Sequence, residues 1–306
     1  VRILLIVNSF ASSVTPRNTV LVHQHLSRHH DVQVVETNER GHATRFAKDA
    51  ADRGLDAVFA FGGDGTLNEV ATGLAGSNTA LAMLPGGSTN VFVRTLGITN
   101  EPMVALTQLL SAIERGEIER VSLGRANGRY FTFHAGIGYD AAVVEQVERR
   151  SSLKRLVGQP LFAYSALRQW FVSYDRTYPH FTLNVDGRSI PNGYFTVVLN
   201  TNPYTFVGKR PISLSPAASL EKKLVVVTFR KMTSPMMLRA LFTALRKDGI
   251  SASSGIDIAT DVDRVDIEFP APFPYQLDGD YLGDTTSLTI THCPEALTLV
   301  RPRGLS

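Results

Sequence analysis

Apolar residues in the first third of the chain fall into short continuous runs separated by amphipathic stretches. Residues 3–7, 32–36, 57–61 and 81–84 read as strands. Runs without alternation are expected of strands covered on both faces. Between them the pattern predicts helices from residue 16 to about 30, over 43–53, and from about 102 to 115. Thr15 before Pro16 has the form of an N-cap followed by proline at the first helical position. Such a strand–helix rhythm predicts a parallel sheet with ligands at the carboxyl ends of its strands.

From residue 121 the pattern changes. Residues 121–126, 130–134, 180–186, 194–199, 224–230, 264–269 and 285–291 read as short strands with turn signals between them. Two helical insertions, at about 141–174 and 234–247, interrupt them. The expected fold class is α/β plus β: an N-terminal parallel α/β domain over 1–120 and a β-sandwich-like domain over 121–295, with 296–306 returning to the first.

Candidate chemistry concentrates in residues 56–97, which hold two strand–glycine-loop–helix units. The first runs from its strand into Gly62-Gly63-Asp64-Gly65-Thr66 and a helix starting near Leu67. The second runs into Pro85-Gly86-Gly87-Ser88-Thr89-Asn90. Glycines at a strand's carboxyl end allow backbone to approach a ligand closely, and a helix N-terminus presents unpaired N–H groups to an anion. Two such loops side by side suit a polyphosphate.

These loops resemble the nucleotide-binding signatures of the diacylglycerol kinase catalytic family, which includes bacterial lipid kinases and the sphingosine and ceramide kinases. The first loop is shared with NAD kinases. Further matches are Thr37-Asn38-Glu39-Arg40-Gly41-His42-Ala43, Ala135-Gly136-Ile137-Gly138-Tyr139-Asp140-Ala141 and Gln276-Leu277-Asp278-Gly279-Asp280. Their order and spacing favour a lipid kinase over an NAD kinase.

The resemblance implies ATP with Mg²⁺, lying in a cleft between the domains. Gly62, Gly63, Gly65, Gly86 and Gly87 would give close backbone approach, and Thr66, Ser88 and Asn90 side-chain hydrogen bonds. Asn8, Thr37, Asn68 and Glu69 join the expected nucleotide set, with helix capping an equal alternative for Glu69 and a turn role an alternative for Asn8. Asp64 is the expected metal holder, or a base toward the acceptor; loop stabilisation is its other reading. Asp280 stands where the family has a glutamate and is the expected general base, although Asp278-Gly279-Asp280 can also be a plain turn. Asp140 matches a family acid facing the lipid. Lys222, Lys223 and Val225 replace an acidic loop that binds a structural Mg²⁺ in some relatives, so no separate structural ion is expected.

Composition narrows the classes. Hydrophobic content of 43% and charged content of 19% fit a globular protein, and a net charge of +3 is too small to argue for nucleic acid. The first apolar run is too short to span a membrane and lacks a small-residue cleavage site. Cys293 is the single cysteine, which rules out an internal disulfide and fits a reducing cytosol. Arg149, Arg150, Lys154, Arg155, Arg168 and Arg176 cluster near Leu153, Leu156, Val157, Trp170 and Phe171, a combination suited to an anionic bilayer surface or to a solvated basic face. The resulting expectation is a cytoplasmic, peripherally membrane-associated lipid kinase, with a homodimer possible. Diacylglycerol is the expected acceptor; sphingoid or ceramide kinase, NAD kinase, and a catalytically weak nucleotide- or lipid-binding regulator are the alternatives.

Overall fold

The computed structural model describes residues 1–149, 165, 166, 168, 169 and 174–303. Within it the chain divides into two compact units, Val1–Leu123 with Pro294–Ser306, and Gly124–Cys293. Most of the basic–apolar cluster, namely Arg150, Leu153, Lys154, Arg155, Leu156, Val157, Trp170 and Phe171, lies outside the described residues.

In the first unit, β1 (Arg2–Val7), β2 (Asp31–Glu36), β3 (Ala57–Gly62) and β4 (Ala80–Pro85) form a parallel sheet in the order β2-β1-β3-β4. Every residue of β3 and β4 is buried, as the unbroken apolar runs require. The helices are α1 (Pro16–Leu26), α2 (His42–Asp52), α3 (Asp64–Leu74), α4 (Val91–Thr95) and α5 (Pro102–Glu114). Thr15 caps α1, its hydroxyl accepting from the Asn18 N–H at 3.2 Å. A Cβ on Gly73 would lie 2.4 Å from the Thr44 carbonyl oxygen, so α3 can pack this closely on α2 only with glycine there.

Two elements here differ from expectation. Helix α3 starts at Asp64, not near Leu67, because Asp64-Gly65-Thr66 has low intrinsic helix propensity and reads locally as loop. Helix α4 was not expected at all; five residues are too few for a periodicity.

The second unit is antiparallel. Its elements are the later part of β5 (Ile118–Ala126), β6 (Arg129–Phe131), β7 (His134–Ile137), α6 (Tyr139–Glu148), β8 (Phe181–Val185), β9 (Arg188–Gly193), β10 (Phe195–Leu199), β11 (Thr205–Val207), β12 (Arg210–Ile212), β13 (Leu224–Phe229), α7 (Ser234–Ala244), β14 (Ile256–Val262), β15 (Arg264–Leu277) and the start of β16 (Asp280–Val300). The main order is β14-β13-β10-β7-β15-β16, with β8 on β15. Side chains alternate between two cores, as the strand period of two demands. Val198 and Val226 enter one with Leu183 and Ile267; Val197 and Val227 enter the other with Ala240 and Ala244 of α7. Strand β16 runs on to Val300 where the sequence pattern suggested two pieces, since Pro294 and Glu295 (φ 47°) break the alternation without ending the strand. Its last residues pair parallel to β4, Leu299 opposite Leu81.

Candidate active site

The two glycine loops lie directly against each other. The Gly86 N–H donates to the Gly62 carbonyl at 2.8 Å. A Cβ on Gly86 would stand 2.8 Å from Gly62 Cα, and one on Gly87 2.8 Å from Gly63 Cα. Close approach was expected toward a ligand; at Gly62, Gly86 and Gly87 the crowding is internal, between the loops or against the Thr66 side chain. Gly63 is the exception, since a Cβ there would make ordinary contacts with Gly87, 3.4 Å from its Cα and 3.8 Å from its N. Gly65 opens α3 with Asp64.

Around these loops, side chains tie backbone to backbone. Asn90, buried and left-handed at φ 49°, accepts from the Gly87 N–H and donates to the Gly87 carbonyl, both at 2.8 Å. Asp64 accepts from the amides of Val91 (3.0 Å) and Phe92 (3.2 Å), one on each carboxylate oxygen, and so caps α4 from the neighbouring loop. Glu69 does the same for α2, accepting from Gly41 (2.9 Å) and Ala43 (3.1 Å). The Asn8 amide donates to the Thr66 hydroxyl at 2.8 Å, and Thr37 is buried at the end of β2 with its backbone N–H on the Val7 carbonyl. Asn68 is buried, whereas Ser88 is exposed at the loop tip.

Helix α3 differs from α1 and α5 in having no side-chain cap. Its first-turn amides, at Asp64, Gly65 and Thr66, have no intrahelical acceptor. They carry the positive end of the helix dipole, which favours an anion. Arg94, a residue without a role in the sequence motifs, brings a guanidinium to the second loop, 3.5 Å from the Thr89 carbonyl. Burial lowers its pKa and the nearby Asp64 opposes that shift. Its position one turn into the helix after the second loop was the available signal.

Among the described residues no three His, Cys, Asp or Glu side chains converge to hold a metal. A carboxylate oxygen has more than one lone pair, so accepting an amide does not by itself exclude a metal at Asp64. This donor set fits a Mg²⁺ that arrives on nucleotide phosphates with water in its remaining positions, and does not fit an all-protein cage. Lys223 forms an ion pair with Asp263 at 2.5 Å.

In the second unit, Asp280 opens β16 directly after Asp278 and Gly279, whose φ values of 49° and 80° mark a two-residue hairpin turn between Leu277 and Asp280. The turn is held by Asp278, another residue given no role from sequence. Its buried carboxylate accepts from the Thr132 N–H (2.6 Å) and hydroxyl (2.7 Å), the Phe133 N–H (2.9 Å) and the His134 N–H (3.0 Å). Asp280 pairs with Arg129 at 3.1 Å, and Arg129 itself follows a second such turn at Asn127-Gly128 (φ 44° and 91°).

Asp140, in the first turn of α6, does not join Asp280's ion pair; it accepts from the Tyr204 hydroxyl and, at 2.6 Å, from the Gln276 amide. A Cβ on Gly136 would fall 1.6 Å from an Asp140 oxygen, so only glycine admits this pair. The buried His134 ring lies against Tyr204, centroids 4.4 Å apart, and its Nδ1 has no hydrogen-bond partner among the described residues. Burial lowers the His134 pKa and raises those of Tyr204 and Tyr139, the latter to about 12. Both phenols therefore stay protonated at neutral pH.

Comparison with known proteins agrees with this geometry. The diacylglycerol kinase catalytic domain model matches residues 2–126. A Bacillus subtilis diacylglycerol kinase is 31% identical over 246 residues, covering 79% of this chain and 77% of that one. A Chromohalobacter salexigens protein named "Probable lipid kinase YegS-like" is 28% identical over 281 residues, covering 90% and 85%. Among solved structures, a Bacillus anthracis protein superimposes with a TM-score of 0.76 at 23% identity, covering 100% of this chain and 98% of the other. A second from that organism, described as a diacylglycerol kinase, gives 0.68 at 21%, again covering 100% and 98%. These two likenesses concern the fold. The stacked glycine loops, the parallel-then-antiparallel fold and the 31% identity lead to one conclusion: this chain belongs to the diacylglycerol kinase catalytic-domain family and is a kinase.

Proposed function

We propose that the enzyme transfers the γ-phosphate of ATP to the free hydroxyl of diacylglycerol, giving phosphatidic acid and ADP, in the cytoplasm at the surface of an anionic bilayer. The observation that carries the nucleotide half is the pair of stacked glycine loops beneath the uncapped first turn of α3. That turn binds phosphate oxygens through the backbone N–H groups of Asp64, Gly65 and Thr66, with Arg94 adding charge nearby. Asn90, Asn8 and Glu69 act by holding the loops and helices in place, and Ser88 is the hydroxyl left exposed for the phosphates. Asp64 would hold a Mg²⁺ that arrives with the nucleotide, and the ion would supply charge neutralisation.

Phosphoryl transfer asks little covalent chemistry of the protein beyond positioning and a proton acceptor. In this reading Asp280 takes the proton from the attacking hydroxyl as its oxygen bonds to the γ-phosphorus and the bond to the β-phosphate oxygen breaks. Asp278 fixes the turn that presents Asp280. Asp140 orients the acceptor head group, its oxygens held in place by Tyr204 and Gln276. Support for diacylglycerol comes from the name of the 31% identical B. subtilis relative.

Incubation with γ-labelled ATP–Mg²⁺ and mixed micelles of diacylglycerol, monoacylglycerol, sphingosine or ceramide, with NAD alongside, tests the reading. Label in phosphatidic acid is expected. Label in a sphingoid lipid or in NADP would replace diacylglycerol as the acceptor. Nucleotide binding without any labelled product would favour a regulator.

A further inference from the structure

Helix α7 is apolar on two sides. Its inner side packs Ala240 and Ala244 into the core with β10 and β13. Leu238, Leu241, Phe242 and, just past the last turn, Leu245 are 67%, 57%, 60% and 46% exposed. Their spacing of three and four residues places them on one stripe. A contiguous exposed stripe of this kind marks an interaction surface, where single exposed apolar residues do not. Cations flank it: Arg239, Arg246 and Lys247 are all exposed, and the Arg246 guanidinium lies 4.7 Å from the Phe242 ring centroid. No acid occurs from Ser234 to Lys247, and the next residue, Asp248, is the single exposed acid beside these cations.

We propose that α7 is the element that docks the enzyme on an anionic lipid bilayer, an inference that rests on the reading that the acceptor is a bilayer lipid. The stripe enters the boundary between headgroups and acyl chains while the guanidinium and ammonium groups stay level with the lipid phosphates. Charge selects this occupant over a second copy of the chain. Two-fold pairing through the same stripe would bring Arg239, Arg246 and Lys247 of both copies together with only Asp248, the exposed acid that follows Lys247, to offset them, one acid to three cations on each copy. An anionic surface attracts all three. The β11–β12 hairpin carries the same combination, exposed Val207 with Lys209 and Arg210, and leads to Ser213, whose N–H donates to the Ala244 carbonyl at the end of α7 (2.7 Å).

Co-sedimentation of the full chain with vesicles tests this, using phosphatidylglycerol–phosphatidylcholine and pure phosphatidylcholine. The wild type is expected to bind the anionic vesicles at least tenfold more tightly than the neutral ones, and less tightly as salt rises. Combined Leu238→Ser, Leu241→Ser and Phe242→Ser substitutions should weaken anionic binding at least tenfold, with thermal unfolding unchanged because the side chains are exposed. In a separate variant combining Trp170→Phe with Phe242→Trp, so that position 242 holds the one tryptophan, emission should shift to the blue when anionic vesicles are added. A triple variant that binds as tightly as the wild type would overturn the proposal. So would a wild type that sediments as a dimer and becomes a monomer in the triple variant. Turnover of water-dispersed dioctanoylglycerol should be equal in both proteins. Binding through α7 with no lipid phosphorylated would sink the diacylglycerol reading while supporting the docking role of α7.

Discussion

Gly63 and Gly87 face each other across the two glycine loops so closely that a Cβ on Gly87 would stand 2.8 Å from Gly63 Cα, whereas one on Gly63 would stand 3.4 Å from Gly87 Cα. The asymmetry separates folding from ligand binding. Gly87→Ala, and Gly86→Ala beside it, push backbone against backbone and should destabilise by about 1–3 kcal/mol. Gly63→Ala meets an ordinary contact and an extended backbone (φ −86°) and should unfold within a few degrees of the wild type. Its methyl group would nonetheless sit beside the proposed phosphate site, so ATP affinity should fall. Thermal unfolding paired with calorimetric ATP titration checks both halves.

Removing the Asp64 carboxylate leaves the Val91 and Phe92 amides of α4 uncapped. Asp64→Ala should cost about 1–2 kcal/mol in urea unfolding, the range for a lost N-cap. Asp64→Asn keeps one acceptor oxygen and should recover part of that stability. Were stability all the residue supplied, Asp64→Asn would also recover turnover; the proposed Mg²⁺ role predicts that it does not.

Asp278 is a larger structural liability than Asp280. Four hydrogen bonds converge on its buried carboxylate, three from consecutive backbone amides. Asp278→Ala strands those donors, and each buried unsatisfied group costs roughly 1–3 kcal/mol, so a loss on the order of 3–5 kcal/mol is expected. Asp280, part-exposed and joined to Arg129, should tolerate Asn with less than about 1 kcal/mol. Urea midpoints of the two variants should therefore differ widely; similar midpoints would refute the anchoring role of Asp278.

Acid sensitivity should come in part from His134. Burial keeps it neutral in the folded chain, with Asp140 and Asp278 opposing that shift, while the unfolded chain protonates it at its ordinary pKa of about 6.5. The unfolded state then binds more protons below that pH, so stability is full above about 6.5 and falls as pH drops. His30 and His292, also lowered by burial, act in the same direction. His134→Gln should flatten the decline between about pH 6.5 and 5.5 without abolishing it, as read from urea unfolding across that range.

Much of this fold was legible in the chain because the signals were local. Unbroken apolar runs located β1, β3 and β4, and Thr15-Pro16 located the start of α1. Glycine loops pointed to the candidate site, but not to why each glycine is there: Gly62, Gly86 and Gly87 answer to contacts made in three dimensions. Roles carried by long-range hydrogen bonds were illegible for the same reason. Nothing near Asp64 in sequence says that it caps a helix 27 residues on, and nothing near Asp278 points to Thr132. Helix α7 was found as a helix, yet which of its faces stays exposed depends on where Ala240 and Ala244 pack.

The most direct test of the account is ATP binding and phosphoryl transfer measured side by side for Asp280→Asn with saturating diacylglycerol. ATP affinity should stay within about twofold of the wild type and transfer should fall by about two to four orders of magnitude, the usual range for a lost general base. Transfer at the wild-type rate would contradict it, and would move the proton-accepting role away from Asp280.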